Sequence, residues 1–252
     1  MKTTVLIATN LMKEIFRKKD IYVFVVLLVI LLIYLINMNF FDIGGLSRYL
    51  KEIGLGMVYL FSLFITVPFS AKLVGEEIQN KTIYPLLAKP VTRFQFIAGK
   101  FLGALLVAGA SFSLFYFIFY LVDISKGTPV GFILYLETYA FAILMLALLS
   151  ALTIFLSIHM TFSTTVTLAY LIYFIMSWFG ASFRDYFYNF SIPGYIAYYL
   201  LPHFEFFDLR DRVVHSWPAL PAWVVGCAAA YALIYISVLL YFSAFAFKKK
   251  WF

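Results

Sequence analysis

The sequence predicts an all-α integral membrane protein built as a single transmembrane domain, 1–252, and three observations predict it. Of its residues 64% are hydrophobic and only 12% charged, where a soluble domain carries about 25% charged residues. The apolar residues run in uncharged blocks of about 20, the length at which a helix crosses a bilayer with its backbone bonded internally. The bases are also divided unequally between alternate connections, which is the mark of a multi-pass topology.

Before the first block, Ala8, Leu11, Met12, Ile15 and Phe16 make one helical face, with Asn10, Lys13, Glu14 and Arg17 opposite. The spacing predicts an amphipathic interfacial helix over 1–20, its bases toward lipid headgroups. It is not expected to be a cleaved signal, because no small-residue cleavage site follows and the next run is too long.

Six transmembrane helices follow: Ile21–Phe41, Ile53–Ala71, Phe101–Val122, Thr138–Ile158, Met160–Phe183 and Trp217–Phe247. The fourth is expected to begin nearer Phe132, bringing Glu137 into the helix. The last is overlong and holds Pro218 and Pro221, so its membrane part is expected to start near Trp223. With both termini in the cytoplasm, 13 bases lie inside: Lys2, Lys13, Arg17, Lys18, Lys19, Lys72, Lys81, Lys89, Arg93, Lys100 and Lys248–Lys250. Six lie outside, Arg48, Lys51, Lys126, Arg184, Arg210 and Arg212. This positive-inside bias sets the orientation, so the net charge of +7 is topological and no nucleic-acid partner is expected.

The longest outer connection, 184–221, contains YFYNFSIPGYIAYYLLP, aromatic and apolar but broken at Pro193-Gly194. Neither half is long enough to span, so an extracytoplasmic re-entrant or interfacial hairpin is expected before the last helix. The segment 72–100 is polar and lies between two apolar runs. Within it Thr92 can cap a helix, Gln95 can close the capping box, and Val91 can staple against Phe96. Ile83, Leu86 and Leu87 share a helical face, and Pro85 fits only a first turn or a break. A short helix, a proline corner and a capped helix leading into the membrane present bases and leucines to the cytoplasm, as a surface that docks another protein.

The stretch GEEIQNKTIYPLLAKPVTRFQFIAGKFLG, Gly75 to Gly103, resembles the cytoplasmic segment of ABC-2 type transporter permeases. The matching residues are Glu76, Glu77, Thr82, Leu86, Leu87, Pro90, Arg93, Gly99 and Lys100, while Lys81 stands where many members have glycine and suits one permease subgroup. The resemblance extends to the amphipathic start, six spans, outer element and basic end FKKKWF. It implies that this segment, with Ile83, forms a cytoplasmic coupling helix seated in a separate ABC ATP-binding subunit. It also implies a second permease, as homodimer or related chain, export as the activity, and a plasma membrane or bacterial or archaeal inner membrane as the location. No GxxxxGK[ST] occurs; Gly99-Lys100 is followed by Phe101. The chain is therefore not expected to be an enzyme, and ATP and magnesium belong to the partner subunit, with no cofactor bound by this chain.

Rival readings attach to single residues. Glu137, the one acid within a predicted span, makes an ion- or proton-coupled carrier the alternative, against an interfacial carboxylate bonded to a tyrosine. In PHFEFFDLRDRVVH, His203, Glu205, Asp208, Asp211 and His215 are ligand types, but no compact metal spacing appears, and an interfacial helix is the plainer expectation. A membrane enzyme would have to place its site there. Gly99-xxx-Gly103, with Ala104 and Ala108, permits close helix packing. Cys227, the only cysteine, excludes an intrachain disulfide and is expected to be packed.

Overall fold

The fold is given by a computed structural model that describes residues 20–37, 46–79, 92–125, 130–190, 198 and 201–249. It is helical throughout these residues, without a strand among them. The helices are α1 (Asp20–Asn37), α2 (Leu46–Gln79), α3 (Arg93–Ser125), α4 (Phe132–His159), α5 (Phe162–Phe190), α6 (Arg210–His215) and α7 (Ala222–Lys249), with a 3-10 turn at Phe204–Phe207. Five of them, α2, α3, α4, α5 and α7, are long and apolar enough to cross a membrane, and α1 carries a shorter apolar stretch, Tyr22–Tyr34. The amphipathic segment 1–20 lies outside the described residues except for Asp20.

Helix α4 forms the centre. In its apolar window 78% of residues are buried, against 17% in α7 and 22% in α5. It packs on α2, α3, α5 and α7, while α1 leans on α2 and α3. Between lipid and protein there is little hydrophobic difference, so small residues and satisfied hydroxyls hold such a bundle together. Gly99, Gly103, Ala104 and Ala108 lie buried on one face of α3, so the small-residue face is used within the chain. Ser62, Thr66, Ser111, Ser150 and Thr153 each return their hydroxyl to the carbonyl four residues back. That arrangement removes the cost of an orphan hydroxyl in an apolar surround.

One close approach is at Gly54 on α2, where an added Cβ would stand 2.7 and 2.9 Å from the Phe119 ring of α3. Phe119 is fully buried. Glycine is therefore required there by contact rather than by backbone angle.

Three expectations are corrected. The fifth helix runs to Phe190 rather than ending at Phe183, because no glycine or proline interrupts the chain from Ala181 to Ile192. Asp185–Phe190 thus continue α5; the break at Pro193-Gly194, where the hairpin is expected to turn, lies outside the described residues. Cys227 is exposed on the outer face of α7, since that helix buries little besides its seam on α4 and α3. The 202–215 stretch is folded into the bundle, not laid along its surface: Phe204, Phe207, Val213 and Val214 are buried.

Candidate functional site

Alternating helix directions gather the polar groups at two opposite ends of the bundle. One end holds the last turns of α2, the start of α3, the α4–α5 turn and the end of α7. The other holds the starts of α2, α4 and α7 and the residues 201–221, which cap it.

At the first end the predicted capping box forms. The Thr92 hydroxyl accepts from the Gln95 backbone N–H at 3.3 Å, and the Gln95 side chain accepts from the Thr92 N–H at 3.1 Å. Two of the donors that a helix start leaves without partners are thereby satisfied. The next residue, Arg93, donates from Nη1 to the Phe247 carbonyl at 3.0 Å. Phe247 lies in the last turn of α7, so this cation meets the negative end of that helix at one of its last carbonyls. The Phe96 ring stacks on the Phe247 ring at 5.6 Å, and the Lys100 ammonium lies 5.5 Å from the centre of Phe96. Lys100 is buried. Lys72 is exposed and reaches over Phe162 at 5.5 Å. Gly75 on α2 faces Ser157 on α4. Glu76 and Glu77 belong to the last turns of α2. Lys81, Thr82, Ile83, Leu86, Leu87 and Pro90 lie outside the described residues.

At the capped end, Asp208 and Arg210 form a two-point ion pair, Nε to Oδ1 at 2.8 Å and Nη2 to Oδ2 at 2.5 Å. The guanidinium sits over the Tyr59 ring at 5.1 Å. Burial alone would lower the Arg210 pKa, but the bonds and charge of Asp208 raise it above its ordinary value, so the guanidinium stays charged. Phe204 meets Tyr173 of α5, and Phe207 meets Phe141 of α4. The buried His203 is anchored to Tyr231 of α7, whose hydroxyl accepts the His203 backbone N–H at 3.0 Å and lies 3.2 Å from Nδ1. Burial pushes His203 below its ordinary pKa. Burial thus favours the neutral ring, which shares one hydrogen bond with the Tyr231 hydroxyl through Nδ1. His203, Glu205, Asp208, Asp211 and His215 are thus parts of a packed cap. Among the described residues no three metal-ligand side chains come together.

Glu137 is half-buried in the second turn of α4, and both its oxygens lie 3.2 Å from the Leu220 N–H. Its partner is the backbone just ahead of α7, not a tyrosine. Sequence reasoning missed a second acid altogether. Asp123 of α3 is fully buried, 3.8 Å from the equally sequestered Lys51 of α2, and accepts the Tyr135 hydroxyl of α4. Three helices meet at this charge cluster. A signal existed: Asp123 continues the helical face of Phe112, Tyr116 and Phe119, all buried.

No protein-family model matches the chain, and no curated protein is significantly similar to it.

Proposed function

We propose that the chain is the permease subunit of an ATP-driven, ABC-2 type exporter. In this reading it crosses the membrane six times with both termini in the cytoplasm, works beside a second permease, and lets a separate ATP-binding subunit hold ATP and magnesium. The reading is supported by the motif Gly75–Gly103, by the bias of bases toward one set of connections, and by five long apolar helices with a shorter apolar sixth. The observation that carries it is the junction after the polar segment. The capping box starts α3 rigidly at Thr92, and Arg93 grips the end of α7. A push on the segment therefore reaches two membrane helices at once, which is what coupling to an external motor requires.

The experiment is gentle purification of the chain from its own membranes, followed by identification of what accompanies it. An ATP-binding subunit in equal amount, lost when Leu86 and Leu87 are both changed to Glu, is the expected result. A chain that arrives alone and transports without ATP would overturn the permease reading in favour of an ion- or proton-coupled carrier.

A further inference from the structure

We propose that the lateral groove between α3 and α4 is a binding site for a hydrophobic cation reaching it from within the bilayer. The groove has a volume of about 590 Å³, within the roughly 300–1,000 Å³ range of small-ligand sites. From Ala110 to Tyr120 it runs about 15 Å along α3, half the thickness of a hydrocarbon core. Six aromatic rings line it, those of Tyr116, Phe117, Tyr120, Phe132, Tyr135 and Tyr139. Phe117 and Phe132 stand exposed at its rim, so it opens sideways.

The chemistry of the groove follows from where its protons go. Ser113 gives its proton to the Gly109 carbonyl at 2.6 Å, so the 2.7 Å contact between Ser113 and Tyr139 uses the tyrosine proton. Tyr116 donates to the Tyr135 carbonyl at 2.9 Å, and Tyr135 donates to Asp123. All three hydroxyl protons are directed into the protein. What these tyrosines offer a ligand is oxygen lone pairs and ring faces, both electron-rich. The rings stand steeply to one another, Tyr120 against Tyr135 at 73° and 5.0 Å and Tyr116 against Tyr135 at 68°. Rings so inclined form the walls of a box rather than a closed stack, the geometry that receives an ammonium or phosphonium centre. An anion finds no donor in these three hydroxyls, and an acyl chain leaves their oxygens without a partner.

That such a cation is the exporter's cargo rests on the permease reading; the binding does not, and its test needs no ATP-binding subunit. The purified full chain would be placed in nanodiscs of phosphatidylcholine and titrated with radiolabelled tetraphenylphosphonium. Saturable binding is expected, displaced by dodecyltrimethylammonium but not by dodecanol or dodecyl sulfate. Tyr120→Leu should weaken it roughly five-fold by removing one ring, and Leu114→Trp, filling the groove from its rim, about ten-fold or more. Leu233→Trp, on the outer face of α7, should bind as the unaltered chain does. Equal displacement by the neutral or anionic amphiphile would make the groove a general acyl-chain site and overturn the proposal. So would absent saturable binding, or affinity unchanged in both groove variants. A dimer that binds no cation and that Leu114→Trp splits would instead assign the groove to a second copy of the chain.

Discussion

Arg93 and Phe247, 154 residues apart, are joined by a 3.0 Å hydrogen bond from the guanidinium to the carbonyl of the last helix. The same guanidinium lies 5.9 Å from the centre of the Phe247 ring. Arg93→Ala should weaken the final turn of α7 by roughly 1 kcal/mol, read as a several-fold faster hydrogen exchange of its amides. Arg93→Lys should restore part of the charge effect but not the directed bond. Unchanged exchange in Arg93→Ala would show that the contact holds nothing. Under the permease reading, Arg93→Ala also keeps its ATP-binding partner while losing transport driven by it.

The Lys51–Asp123 pair should behave as a buried ion pair does. Removing one member, as in Lys51→Met or Asp123→Leu, is expected to cost about 3–5 kcal/mol, because the charge left behind loses this partner while it stays buried. Changing both together should recover most of that loss. Denaturation midpoints of the three variants check this. Single variants as stable as the unaltered chain would remove the pair from the account of the fold.

Gly54→Ala should destabilise the chain by about 1–3 kcal/mol through overpacking against Phe119. Paired with Phe119→Leu, the two changes should together cost less than their sum, since the smaller side chain makes room for the methyl. Strict additivity would mean that the ring moves aside freely.

The capped end should loosen in acid. His203 has a folded-state pKa below its ordinary value near 6.5. The unfolded chain therefore binds the proton more readily, and stability falls as the pH drops below about 6.5 toward the folded value. Thermal midpoints measured from pH 7.5 downward should show this slope, and His203→Gln should flatten it. An equal slope in both would assign the acid response to other groups.

The capping box was legible because it is local: Thr92 and Gln95 are three residues apart, and a helix start has donors that only such side chains reach. The apolar blocks were legible for a similar reason. Inside a bilayer each segment must satisfy its own backbone, so the length of an uncharged run specifies a helix without reference to its neighbours. The end of α5 was misjudged because polarity, used to end the membrane segment at Phe183, does not end a helix; a breaker does.

By itself, then, the sequence determined the helical class, the long apolar runs and the capped start at Thr92, since all of these depend on residues within a few turns of one another. Only the tertiary structure decided that Arg93 meets Phe247, that Asp123 meets Lys51 and Tyr135, that Glu137 holds the backbone at Leu220, and that residues 201–221 close one end of the bundle. Those partners are chosen by which helix faces are pressed together, and a buried charge or a helix-end carbonyl is met by whatever the neighbouring helix presents there.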